Sequence, residues 1–297
     1  MLHQDNAKNR LLGIGLASLA VLLFAILDGL GKYLTLYLPV LQVVWLRFAV
    51  HVLLSLVVLG PTYKQRLFRT KHPGLQALRA FLMGAMTCMN FYALQTLQLA
   101  ETGSIMFLAP LLIAALGWLW LNEQLDLGRW LAILTGFIGV LVILQPGSGS
   151  FKPAMLLPLG IAFMIAVFSM VSRKLAATDR PAVTQFLSGL GTAIVLAPVA
   201  LWSWQWPETL GQWALLVGLG AVGAYGHYCL AASFRYAPAS TLAPFQYFQI
   251  FWAVAIGYLV FGDVPRWSVV LGSAIVVGSG LYLLYRESRV KTAPAQG

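Results

Sequence analysis

The sequence predicts an all-α integral membrane protein, with ten transmembrane helices arranged as two inverted five-helix repeats. Composition is the first reason. Of its 297 residues, 60% are hydrophobic and only 9% charged, with a mean hydropathy of +0.81, whereas soluble domains carry roughly 25% charged residues. A soluble chain of this length has no interior large enough for so much apolar surface, so its solvent is lipid. The second reason is the recurrence of apolar stretches of roughly 18–24 residues, each long enough to cross a bilayer as a helix. The third is an internal duplication, about 140 residues out of register, that divides the spans five and five.

Spans are expected near 11–34, 38–59, 75–97, 102–122, 128–145, 153–174, 182–203, 209–233, 239–261 and 267–285. The connectors are short and carry Pro39, Pro61, Pro73, Pro146, Pro153, Pro181, Pro207 and Pro265, which disfavour continuation of a helix. No connector has room for another domain, so the chain divides into a first repeat over 1–147 and a second over 148–297. The polar, basic start MLHQDNAKNR followed by an apolar run has the look of a signal peptide. No small-x-small cleavage site follows, and the run is expected to stay as the first span.

Basic residues set the orientation. With the N-terminus in the cytoplasm, 15 of the 19 Lys and Arg residues fall on the cytoplasmic side. Lys32, Lys152 and Arg266 fall on the other, and Arg47 lies within a span. The expected location is therefore a cell inner membrane, crossed many times, with both termini cytoplasmic. Trp202, Trp204 and Trp206 sit at the outer boundary of span seven, where an aromatic belt belongs. The net charge of +10 is dispersed over connectors without an aromatic-interleaved patch, which argues against a nucleic-acid partner. Cys88 and Cys229 lie inside apolar runs and form neither a disulfide framework nor a metal-binding pair.

The duplication rests on ordered matches. Lys32 and Lys174 each precede a proline, Pro39 and Pro181, by the same spacing. Gly117, Glu123 and Arg129-Trp130 recur as Gly257, Asp263 and Arg266-Trp267. Five spans per half force the second half into the opposite orientation. Inverted repeats are typical of secondary transporters, whose site lies near the midplane between the repeats.

The stretch from Phe91 to Gly147 resembles the first repeat of the EamA-type branch of the drug/metabolite transporter superfamily. The features that carry this are Tyr92-Ala93-Leu94, Ala100-Glu101-Thr102, Pro110, Glu123, Arg129-Trp130, Gly136 and Gly139. Asp28, Lys32, Pro39 and Arg47 resemble that branch's first two spans. The resemblance implies a ten-helix carrier of a small metabolite, often an exporter, amino acids included, with some vitamin and cofactor carriers. The second half departs from the pattern: Pro238 stands where Glu101 would fall, Pro110 has no clear partner and no Arg matches Arg47.

Several residues are candidates for the transport site. Asp28 lies about 10 Å from the outer end of span one, and Arg47 about 12 Å into span two, at 1.5 Å per residue. Matching depths on antiparallel neighbours predict an ion pair, with His51 one turn deeper. The pair reads either as a static clamp or as the outer lining of a pathway, with Arg47 meeting an anion and Asp28 exchanging a proton. Lys32 is expected to snorkel to the interface. Asn90 and His227 sit at pseudo-symmetric depths, as interhelical hydrogen-bonding groups or ligand contacts. In span nine Gln246 and Gln249 share a face, with Phe245, Phe248 and Trp252 beside it. That face reads as a cavity wall or as aromatic packing, with Tyr92 and Gln95 as the opposing wall. Glu101 is expected to cap span four. Glu123 with Arg129, and Asp263 with Arg266, are expected to brace loops. Gly220, Gly223, Gly226, Gly272, Gly278 and Gly280 permit close helix approach and leave a homodimer face open.

No Walker, HExxH or GxSxG motif occurs, so neither an ATP-driven pump nor a hydrolase is supported, and no cofactor or metal is expected. The expectation is a non-enzymatic secondary transporter, exporting an amino acid or similar amphipathic small molecule by alternating access, with proton coupling through Asp28. A flavin-like vitamin importer of the same fold is the alternative. A membrane enzyme on lipid-linked substrates is a further one, disfavoured by the scatter of the four histidines.

Overall fold

A computed structural model describes residues 7–121 and 125–292. Its α-helices are α1 (Ala7–Leu34), α2 (Val40–Tyr63), α3 (Pro73–Leu94), α4 (Leu99–Met106), α5 (Ala109–Leu121), α6 (Leu127–Leu144), α7 (Leu156–Leu175), α8 (Pro181–Trp202), α9 (Leu210–Ser233), α10 (Ala239–Gln246), α11 (Phe248–Phe261) and α12 (Trp267–Thr292). Short 3-10 turns cover Lys64–Phe68 and Pro153–Met155. In lipid each backbone polar group must be satisfied within the segment, which leaves the helix as the solution for these apolar runs. Among the described residues, ten spans are long and apolar enough to cross a membrane, with α4–α5 forming the fourth and α10–α11 the ninth.

Local chemistry marks the helix ends. Pro73 and Pro181 occupy the first turns of α3 and α8, where the missing N–H costs no bond. Asp126 accepts from the Arg129 N–H at 2.9 Å and Thr209 from the Gln212 N–H at 3.1 Å. Gly262 ends α11 at φ +68, a left-handed conformation that glycine adopts without strain.

The fourth and ninth spans are interrupted, where continuous helices were expected. Pro110 has no N–H to give the Met106 carbonyl and its ring crowds that group, so α4 stops at Met106. In the ninth span Pro244 precedes a tightened turn at Tyr247, with Tyr247 N–H to Pro244 O at 3.3 Å and Ile250 N–H to Tyr247 O at 3.1 Å.

Packing follows the inverted repeat. The second spans of the two halves, α2 and α8, pack on each other, as do the fourth, α4 and α11, and the fifth, α6 and α12. The first span α1 lies along α9, the third span of the other half, and α7 lies along α3 in the same way. An axis through the 2–2, 4–4 and 5–5 contacts generates this whole pattern. One core gathers Leu108, Leu111, Ile143, Met155 and Val276; another gathers Leu34, Phe48, Phe91 and Leu219.

Glycines set the close approaches. A Cβ at Gly272 would lie 2.6 Å from the Gly139 carbonyl oxygen, so α6 and α12 touch backbone to backbone. Gly220, Gly223 and Gly226 are taken up by α1 and α2, against Val50, Leu27 and Phe24. Connectors α2–α3, α7–α8 and α9–α10 carry Lys64, Arg66, Arg69, Lys71, Arg180 and Arg235 and lie at one end of the bundle, the basic end. The opposite end is the far end.

Candidate functional site

A polar cluster occupies the bundle interior where α1, α2, α3 and α9 meet. Asn90 Nδ2 of α3 donates to Asp28 Oδ1 of α1 at 2.9 Å. Arg47 Nη1 of α2 donates to Thr87 Oγ1 of α3 at 2.9 Å, and its guanidinium lies 4.7 Å over the Phe48 ring. Arg47 is only 8% exposed and His51, one turn along the same face, 6%. The His51 and His227 rings stand perpendicular at 6.1 Å, and Phe24 approaches His227 at 5.0 Å. A Cβ at Gly223 would lie 3.4 Å from Arg47 Nε, so α9 offers the guanidinium a bare backbone surface. His51 Nε2 and Asn90 Oδ1 are buried and have no hydrogen-bond partner among the described residues. Buried polar atoms are nearly always paired, so these two mark positions where a solute or water can bond.

The direct Asp28–Arg47 ion pair expected from the sequence does not form. The two charges act on each other through space, but each is satisfied by a neutral neighbour on α3, Asn90 or Thr87. Helix depth placed both residues correctly; it carried no information on the third helix that wedges between them.

Arg79 of α3 falls near the start of the expected span 75–97 and is counted among the cytoplasmic-side cations, with no role of its own. It is buried, donating to Ser172 Oγ at 2.8 Å, Ser188 Oγ at 2.5 Å and the Thr184 carbonyl at 3.2 Å, and it lies 4.2 Å over Phe168. Its position two turns past Pro73, inside the helix, was the available signal.

The far end is tied shut between the halves. Lys32 Nζ pairs with Asp263 Oδ2 at 2.7 Å, donates to the Leu97 carbonyl at 3.2 Å and lies 4.7 Å over Phe261. Arg266 Nη2 pairs with Glu101 Oε1 at 2.8 Å and its Nη1 reaches the Ser150 carbonyl at 3.3 Å. Gln98 Nε2 donates to the Val264 carbonyl at 3.1 Å, and Lys152 Nζ to the Thr96 carbonyl at 2.9 Å. Lys32 therefore does not snorkel, because Asp263 lies within reach of its ammonium. Arg266 takes Glu101, on another helix, in place of its neighbour Asp263. Glu101 also caps α4, accepting from the Gln98 N–H at 3.1 Å, as expected. The Glu123–Arg129 brace falls on residue 123, outside the described residues.

The breaks in the two fourth spans face each other. The Phe107 and Tyr247 rings lie 4.9 Å apart, and the Tyr247 hydroxyl, buried without a hydrogen-bond partner among the described residues, presses on Gly280. Phe245 and Phe248 stack at 6.1 Å, and Trp252 meets Phe251 edge-on at 5.0 Å. Gln246 and Gln249 are half-buried on either side of the break. Beyond it α11 rests on α1 beside Asp28, where a Cβ at Gly29 would lie 2.9 Å from Ile256. Tyr92 is 44% exposed, and Gln95 lies past the end of α3, donating to the Thr35 carbonyl at 3.1 Å. The structure brings Asp28, Arg47, Asn90 and His227 together and leaves Tyr92 and Gln95 outside that cluster.

Two inverted halves, an interrupted fourth helix in each and a charged polar cluster held inside the bundle define a multi-pass membrane transporter. The EamA-like transporter family matches residues 11–145 and again residues 152–286. The chain belongs to that family, within the drug/metabolite transporter superfamily; it is a small-molecule transporter and not an enzyme. It is similar to a riboflavin transporter of Vibrio cholerae, with 33% identity over 91% of this chain and 92% of the relative. It is also similar to an S-adenosylmethionine uptake transporter of Rickettsia prowazekii, with 29% identity over 96% of each chain. A solved structure described as "Crystal structure of protein" superposes with a TM-score of 0.65 over 94% of this chain and 99% of the other, at 20% identity, a likeness of fold.

Proposed function

We propose that the chain is a secondary uptake carrier for a flat heteroaromatic solute of vitamin or cofactor size, with riboflavin the first to test. The full-length similarity to a named riboflavin transporter carries this reading. The named substrate of the Rickettsia relative also contains a flat heteroaromatic base. Two features of the chain support it. Phe245, Phe107, Tyr247 and Trp252 supply aromatic faces at the helix breaks for a ring to stack on. Arg47, Asn90, His227 and His51 supply donors and acceptors for polar groups on the same solute. Gln246 and Gln249 belong to the ligand-contacting set; Tyr92 and Gln95, exposed away from the cluster, do not.

In this reading the halves 1–147 and 148–297 rock against each other, with the basic end and both termini in the cytoplasm of an inner membrane. The far-end ion pairs break to admit solute and re-form to send it inward. Asp28 exchanges a proton during the cycle, its hydrogen bond to Asn90 holding the carboxyl in place in either state.

Counterflow in proteoliposomes preloaded with riboflavin, S-adenosylmethionine or amino acids tests this. Protein-dependent exchange of riboflavin is the expected result. Exchange of amino acids alone, with net efflux from cells, would restore the export reading of the sequence. Silence across the panel from folded protein would reject both ligand classes.

A further inference from the structure

A second concavity lies at the basic end, remote from the polar cluster. It is an open concavity of about 300 Å³, bounded by the turn after α2 and the α7–α8 connector. Four cationic side chains line it: Arg66, Arg69 and Lys71 from the first half, and Arg180 from the second. The one carboxylate in its wall, Asp179, is already engaged. It accepts from the Thr70 hydroxyl, from Gln76 Nε2 at 2.9 Å and from the Lys71 backbone N–H at 3.4 Å. It pairs with none of the four cations. The Arg66, Arg69 and Lys71 side chains have no ion pair or hydrogen bond among the described residues, and Arg180 has only the Tyr63 ring, 5.8 Å away.

Asp179 thus builds the pocket without neutralising it. By tying residues 70, 71 and 76 to the opposite connector it fixes the two walls, so four positive charges converge on a held concavity. Like charges gathered this way repel unless an anion joins them. The pocket lies where α2 ends and α8 begins, at the ends of two helices long and apolar enough to span a membrane. The α2 face that meets the pocket, Val52, Leu56, Leu59 and Tyr63, packs on Val183 and Phe186 of α8, so the pocket is fixed across the ends of both helices.

We infer that this pocket binds the phosphate of an anionic phospholipid, the headgroup held by Arg66, Arg69, Lys71 and Arg180 and the acyl chains in the bilayer beside α2 and α8. Arginine forks match phosphate oxygens in pairs, and basic pockets between membrane-spanning helices suit such headgroups. The chemistry recognised is a phosphate carrying negative charge. A soluble phosphate ester has the same chemistry, but the pocket sits at the ends of two membrane-spanning helices, where phospholipid phosphates are concentrated, which favours the lipid.

Native mass spectrometry of the purified protein with phosphatidylglycerol, cardiolipin or phosphatidylcholine tests the site. The variant Arg66→Ala/Arg69→Ala/Arg180→Ala is compared with the charge-matched Lys8→Ala/Lys174→Ala/Arg235→Ala, both checked for folding by gel filtration. Retained anionic lipid should fall at least fivefold in the pocket variant, stay unchanged in the matched variant, and exceed retained phosphatidylcholine in the wild type. An equal fall in both variants, or no preference for anionic lipid, overturns the proposal. Displacement of the lipid by inorganic pyrophosphate, with pyrophosphate alone raising the thermal midpoint, overturns the lipid source and assigns the pocket to a soluble phosphate.

Discussion

Lys32 of α1 and Asp263 of the α11–α12 connector meet at 2.7 Å, and with them the two halves of the chain close the far end of the bundle. Their side chains are 12% and 22% exposed. The contact falls between exposed pairs, worth at most about 1 kcal/mol, and buried pairs, whose disruption costs about 3 kcal/mol or more. Asp263→Asn should therefore shift the closed-to-open ratio by roughly ten-fold, since 1.4 kcal/mol is a factor of ten. Ala253, 6% exposed just beneath this seal, is the reporter. In a background lacking Cys88 and Cys229, an Ala253→Cys variant should label several-fold faster with an impermeant maleimide once Asp263→Asn is added. Equal labelling rates would mean that the pair only braces a loop.

Tyr247 and Gly280 make a tighter test of the helix break. A Cβ at Gly280 would lie 2.0 Å from the Tyr247 hydroxyl and 3.1 Å from its ring carbon. Gly280→Ala should destabilise the protein by about 1–3 kcal/mol, the usual range for overpacking. Tyr247→Phe removes the clashing oxygen, which has no hydrogen-bond partner among the described residues. The double variant should recover most of the loss in thermal midpoint and in counterflow. Strictly additive losses would show that Gly280 is needed for another reason.

These two contacts also show where the sequence was legible. Hydropathy depends on composition over about 20 residues, and the duplication on matches at a nearly constant offset, so the ten spans and their two inverted halves could be read directly. Asp28, Arg47, Asn90 and His227 could be singled out because polar groups in lipid must face inward. Partners could not. Lys32 finds Asp263, 231 positions away, and Arg266 finds Glu101 at a separation of 165, distances over which no periodicity carries information. The helix breaks had a local signal, Pro110 and Pro244 within otherwise apolar spans. Their importance emerges only when the fourth spans are set face to face.

Asp179 gives the basic end a pH dependence. Burial opposes its charge, but hydrogen bonds from Thr70, Gln76 and the Lys71 N–H, with His72 nearby, hold its carboxyl below the usual carboxylate range. A depressed folded-state pKa stabilises the protein above the unfolded value, near pH 4. That contribution is lost as the pH falls through the folded value. Asp179→Asn should lower the thermal midpoint at pH 7 and flatten its decline below pH 4. Parallel midpoint curves for wild type and variant between pH 3 and 7 would place the acid sensitivity elsewhere.

Asp28 offers the sharpest separation of coupling from binding. Its Oδ1 is held by Asn90 and its charge is felt by Arg47, yet no direct ion pair fixes it in the ionised form. Asp28→Asn is nearly isosteric and keeps an oxygen for the Asn90 amide, so folding should survive. A carrier that moves a proton through Asp28 should then lose accumulation driven by a pH gradient while retaining solute counterflow, which needs no net proton movement. Arg47→Gln should behave differently: removing the cation weakens binding as well, so counterflow itself should fall at least tenfold, the scale of one charge-assisted hydrogen bond of about 1.5–3 kcal/mol. Gradient-driven uptake that persists undiminished in Asp28→Asn would remove Asp28 from the coupling mechanism and leave the Asp28–Asn90 contact as a structural tie between α1 and α3.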